Sequence, residues 1–152
     1  MARSLRAEGA AVLDWFAERS LSATPDPRVP TILIADEAEV AALTVRRVWH
    51  TGLAIEPSDE PSDRSSLVLQ AEGSARFRMT GTNAELDAGD ALVYPHSALS
   101  SATTSHPTAR IEILTAHSLL DHPAPLPGAD DSPAWRALAS RSEEHTSELQ
   151  SH

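Results

Sequence analysis

The chain has 152 residues and a formal net charge of −10, carried by 22 Asp and Glu against 12 basic residues, all of them Arg. So acidic a chain, with scattered Arg, lacks the basic face that neutralises phosphates and makes a poor independent nucleic-acid binder. Having no Cys excludes disulfides, thiolate metal sites and Cys nucleophiles; no apolar run approaches the roughly 20 residues that span a bilayer.

A helix is expected from about Leu5 to Arg19, where Leu5, Val12, Leu13 and Phe16 fall near helical spacing and Arg6, Glu8, Asp14 and Glu18 lie toward the other face. Pro25, Pro27 and Pro30 prevent its continuation. A second short helix is expected over Asp36 to Ala42. From Leu43 the period changes to two, and Thr44 to His50 reads as a strand rich in β-branched and aromatic residues.

Glu56 to Ser66 is a polar loop interrupted by Pro57 and Pro61. Strands follow over Ser66 to Ala71 and over Ala75 to Met79, where Ala75, Phe77 and Met79 alternate with outward Arg76, Arg78 and Thr80. Thr80 to Asn83 reads as a hairpin turn, Ala84 to Asp87 returns, and Ala88-Gly89-Asp90 turns again into a strand from Ala91 to Tyr94, ended by Pro95. Beyond a Ser/Thr-rich stretch from Ser97 to Ser105, Ala109 to His117 makes a long strand with Ile111 and Ile113 on one face. Many short strands separated by turns indicate a sandwich or barrel. Pro123, Pro125 and Pro127 then read as a linker, and Ser132-Pro133-Ala134-Trp135 as a helix start with Ser132 at the N-cap.

The last twelve residues, Arg141 to His152, resemble residue for residue the translation of a sequencing-library adapter. They are expected to be a non-native tail on a fragment whose natural sequence is lost beyond Ser140. Without them the net charge is −8, and His145 and His152 drop out of any site.

Leu67 to Met79, followed by Leu86-Asp-Ala-Gly89-Asp90-Ala-Leu-Val-Tyr94-Pro95, resembles the core of a cupin domain, and more narrowly the N-terminal ligand-binding domain of AraC-type transcription regulators. The resemblance covers about residues 43–120. It implies a mainly β, cupin-like double-stranded β-helix or barrel with an N-terminal helix and the start of a C-terminal linker helix. The expected divisions are 1–30 for the N-terminal helix and its Pro-rich connection, 31–120 for the barrel, 121–140 for the linker and 141–152 for the tail. Gly89 supplies positive φ to the turn, Asp90 hydrogen-bonds backbone N–H groups just beyond it, and Pro95 ends the strand.

Metal-dependent cupins carry a His-x-His pair and a Glu after the first strand and a further His after the second turn. This chain has Arg76-Phe77-Arg78 and Ser100 at those places, and His50, His96, His106, His117 and His122 are scattered without ligand spacing, reading as surface or loop residues. No metal and no cofactor is therefore expected. There is no Gly-x-Ser-x-Gly elbow, phosphate loop or dinucleotide fingerprint, and the carboxylate pairs Asp59/Glu60 and Asp130/Asp131 lie in Pro-rich loops. Arg46 with Arg47, or Arg76 with Arg78, could meet an anion.

With no spanning run and no signal-peptide apolar region at the N-terminus, a cytoplasmic location is expected; the resemblance implies a homodimeric effector-sensing domain rather than an enzyme. It would bind an unidentified small molecule and reach DNA only through a helix-turn-helix domain beyond this chain. Trp49, Tyr94 and His96 are the candidates for the lining or rim of its pocket. The alternatives are a stand-alone cupin that binds or transforms a small molecule, and a module that only dimerises.

Overall fold

Alternation of period two is carried through most of the chain. The computed structural model describes residues 2–58, 64–115 and 123–125. In chain order these form β1 (Ala2–Glu8), helix α1 (Ala10–Ala17), β2 (Leu21–Pro25), β3 (Ile32–Val40), β4 (Leu43–His50), β5 (Leu53–Pro57), β6 (Ser65–Glu72), β7 (Ala75–Met79), β8 (Thr82–Leu86), β9 (Ala91–Pro95), a 3-10 turn (His96–Ala98), β10 (Leu99–Thr104), β11 (Thr108–Thr115) and β12 (Ala124–Pro125). Every pairing is antiparallel. One sheet has the order β1-β3-β4-β11-β6-β9-β12 and the other β2-β5-β10-β7-β8. They form the two walls of a mainly β, cupin-like barrel. No helix among the described residues is long and apolar enough to cross a membrane.

The N-terminal segment differs from the expected single helix. Residues 2–8 pair with β3 along their whole length, Ala2 opposite Ala38 through to Glu8 opposite Ile32. Only after Gly9, at φ 59, does α1 begin, and it buries Val12, Trp15 and Phe16. The spacing i, i+3, i+4 is the helical one, but Leu5 belongs to the strand and is exposed. Similarly, Asp36 to Val40 continue β3 instead of forming a helix. Pairing with β1 on one side and β4 on the other overrides the helix propensity of Glu and Ala. Three further strands lie where none is expected: β2 forms within the Pro-rich connection and pairs with β5, β5 reaches into the expected loop at Glu56 and Pro57, and the Ser/Thr-rich stretch forms β10 between β5 and β7.

The other strands lie where period two places them. In β7, Ala75, Phe77 and Met79 are buried while Arg76 and Arg78 are exposed. The core has two main parts. Val12, Trp15 and Phe16 of α1 pack on Leu33, Val48, Leu53 and Ile55 at one end; Phe77, Met79, Leu86, Leu92 and Tyr94 pack at the other. Ala124 and Pro125 of the expected linker pair with Val93 and Leu92 of β9. The expected helix start at Ser132, the tail from Arg141, and His117 and His122 lie outside the described residues.

Two turns depend on glycine. Gly89, at φ 97, donates its N–H to the Gln70 carbonyl at 2.8 Å. Asp90 accepts from the Asp87 N–H at 2.8 Å, three residues upstream and not beyond the turn. Gly73 joins β6 to β7 at φ +70, and a Cβ there would come within 2.7 Å of the Pro107 carbonyl oxygen. Gly73→Ala therefore combines a left-handed conformation with a backbone clash, and is expected to destabilise the protein by about 1–2 kcal/mol. Urea unfolding checks this; an unchanged midpoint would contradict the tight β6–β7 connection.

Candidate ligand-binding site

Strand register arranges the inner wall of the larger sheet in rungs. One rung runs Arg3, Glu37, Arg46, Glu112, Val68 and Leu92 across β1, β3, β4, β11, β6 and β9. Four neighbouring strands thus present alternating charges, and the next two present hydrocarbon. The alternation is matched by contacts: Arg3 to Glu37 at 3.1 Å, Arg46 to Glu37 at 2.5 Å and Arg46 to Glu112 at 3.8 Å.

Glu37 receives a third guanidinium, Arg19 just beyond α1, at 3.2 Å. Arg19 also donates to the Trp15 carbonyl at 2.8 Å and stacks 3.8 Å above the Trp15 ring. Glu112 receives Arg110 at 3.0 Å from two residues along its own strand. Burial alone would push both carboxyls up, but the guanidiniums beside them prevail: Arg46 and Arg19 hold Glu37 below the ordinary carboxylate range, and Arg110 and Arg46 do the same for Glu112.

Next to this rung, one end of the barrel is filled. His50, Gln70 and Thr108 are fully buried there, and Phe16 meets the His50 ring edge-on with centroids 6.0 Å apart. His50 Nδ1 lies 2.8 Å from the Thr51 carbonyl, which can only accept, so that nitrogen carries the proton. Nε2 is then the acceptor for Arg110 at 2.6 Å. Burial and the Arg110 charge lower the His50 pKa to about 3, which keeps the ring neutral.

The other end is open. Its rung carries Glu39, Thr44, Leu114, Ser66 and Tyr94, with Arg64 and His96 beside it. His96 Nε2 and Ser66 Oγ are 2.6 Å apart, and the Tyr94 and His96 rings are 6.0 Å apart. Burial raises the Tyr94 pKa; burial and the Arg64 cation lower that of His96. Between the two ends lies a cavity of about 640 Å³, with Arg46, Arg110 and Glu112 on one wall and Ile55, Phe77, Leu99 and Ala102 on the other.

Of the pocket residues expected from the sequence, Tyr94 and His96 line this cavity. Trp49 does not: alternation along β4 takes it to the opposite face, where it packs with Ile34, Ala71 and Ala109. His50, expected at the surface, is buried. The same alternation separates Arg46, which faces inward, from Arg47, which pairs outside with Asp36 at 3.0 Å. Of the charged wall, only Arg46 is among the residues expected to meet a ligand; Glu37, His50, Arg110 and Glu112 are not. The clearest local signal is Arg110-x-Glu112, a charged pair two apart on a strand whose alternate face is Ala109, Ile111 and Ile113.

The residues present do not fit a metal ion. Among the described residues no three His, Cys, Asp or Glu side chains gather as a ligand set. Arg76 and Arg78, at the place of the His-x-His pair, are exposed. Glu37 and Glu112 are bound to guanidiniums, and the His50 acceptor nitrogen is taken by Arg110.

No family model matches the chain, and no curated protein matches it in sequence. Solved structures share its fold. The AraC-like transcriptional activator CuxR is 11% identical with a TM-score of 0.60 over 74% of this chain and 47% of its own. The protein Ylba from E. coli is 13% identical with a TM-score of 0.51 over 74% and 57%. A cupin superfamily protein from Desulfitobacterium hafniense is 14% identical with a TM-score of 0.47 over 57% and 78%. The first two carry the likeness, which at these identities is one of fold. The chain spans about half the length of those two structures.

Proposed function

We propose that this cupin-type small-molecule-binding domain is the effector-sensing half of an AraC-type transcription regulator. The observation that carries the binding role is the cavity of about 640 Å³, open at one end, with charged and apolar walls facing each other. That volume is within the ~300–1,000 Å³ of small-molecule sites. The fold shared with an AraC-like activator supports the regulatory role. Binding without catalysis is supported by the wall itself: carboxylates held ionised by guanidiniums are weak bases, and His50 has both ring nitrogens engaged.

An effector that binds one arrangement of a homodimer more tightly would shift the population toward it, and with it the presentation of tethered DNA-binding helices. The test is the sequence of the genomic locus past the codon for Ser140. A frame continuing into two helix-turn-helix units is expected. A stop codon within a few residues would overturn the regulator and leave a stand-alone binding domain.

A further inference from the structure

The arginines around the cavity are not equivalent. Arg3, Arg19, Arg46 and Arg110 each hold a carboxylate of the wall. Arg64, at the mouth just before β6, pairs with no acidic group among the described residues. Its backbone carbonyl accepts the His96 N–H at 2.8 Å, which fixes the segment against the mouth. Deeper in, Glu37 and Glu112 are saturated by two or more guanidiniums apiece. Among the described residues, the deep wall therefore offers a cationic ligand no carboxylate that lacks a guanidinium, while the mouth presents the Arg64 guanidinium to an anion, with Glu39 on the neighbouring rung.

Resting on the reading of the barrel as a small-molecule site, we propose that its ligand is an amphiphilic carboxylate. The carboxylate is gripped by Arg64 at the mouth, and the apolar body lies against Phe77, Leu99 and Ala102. A single planar guanidinium offers two parallel N–H donors, which match a carboxylate. A phosphate dianion would leave half of its charge uncompensated. The hydrocarbon wall opposite the charged rung suits an apolar body, because that wall gives a polar one nothing to hydrogen-bond. The Arg64 cation already contributes to lowering the pKa of His96, so a bound carboxylate is expected to raise it.

The experiment is calorimetric titration of the full chain at pH 7 with matched pairs: benzoate, phenylacetate and decanoate, each against its primary amide. At least one acid is expected to bind roughly tenfold or more tightly than its amide, the worth of one charge-assisted hydrogen-bonded pair. Arg64→Gln is expected to erase that preference and leave the thermal midpoint where it was. Amides binding as well as acids, or a preference that survives in R64Q, would overturn the carboxylate while leaving the small-molecule site standing. If neither series binds, the site itself falls.

Discussion

Glu112→Ala is expected to lower the free energy of unfolding by about 3–5 kcal/mol, seen as a fall of roughly 10 °C in Tm. Glu112 sits between Arg110 and Arg46, at 3.0 and 3.8 Å, and the side chains of those arginines are only 8% and 11% exposed. Removing the carboxylate leaves two guanidiniums side by side in the barrel with one compensating charge, Glu37, on the far side of Arg46. The loss is the cost of a stranded buried charge, which exceeds the net worth of the intact pair. Glu112→Gln keeps the shape and some of the hydrogen bonding, so its effect is expected to be smaller. Differential scanning calorimetry of both variants checks the order. A loss below 1 kcal/mol in E112A would contradict the picture of a buried, charge-alternating rung.

Stability is also expected to decline below pH 6.5, before any carboxyl titrates. In the unfolded chain His50 takes a proton near 6.5, whereas in the fold burial and Arg110 delay this to about 3. The folded pKa is the lower of the two, so this contribution is fully present above pH 6.5 and is lost as pH falls toward 3. One proton gives a slope of about 1.4 kcal/mol per pH unit, or about 2 kcal/mol between pH 6.5 and 5. His96, shifted in the same direction, adds to the decline. Glu37 and Glu112, lowered from 4.5, act in a separate window: their stabilisation is present above that value and lost below it. Urea unfolding from pH 7 to 5 measures the His window. His50→Gln is expected to remove most of the slope; a slope unchanged in that variant would place the titrating group elsewhere.

The barrel was legible in the sequence where alternation was clean and β-branched or aromatic residues dominated, as in β4, β6, β7, β9 and β11. It was not legible in β1 and β3, whose Ala, Glu and Arg favour a helix locally and become strands only through pairing with one another and with β4. The site was harder still. Each of its charges looks like a solvated residue within its own strand, and only the register across four strands brings Arg3, Glu37, Arg46 and Glu112 into one line. His50 illustrates the point: it ends a strand beside Thr51 and Gly52, as a surface residue would, yet Phe16 of α1 and Arg110 of β11 close over it. The turn signals, by contrast, are local, so the reversal at Gly89 is legible without any tertiary contact, although the side on which Asp90 accepts is not.

The central claim is that the barrel interior is a small-molecule binding site. It is tested most directly by a thermal-shift screen of a broad metabolite library against the wild-type chain and Ala102→Phe. Ala102 lines the apolar wall of the cavity, and a Phe there would occupy the space opposite the charged rung. A ligand that stabilises the wild type and has no effect on A102F, with both proteins showing the same far-UV spectrum, is the predicted result. A ligand that shifts both equally would place the binding site outside the barrel and contradict the account.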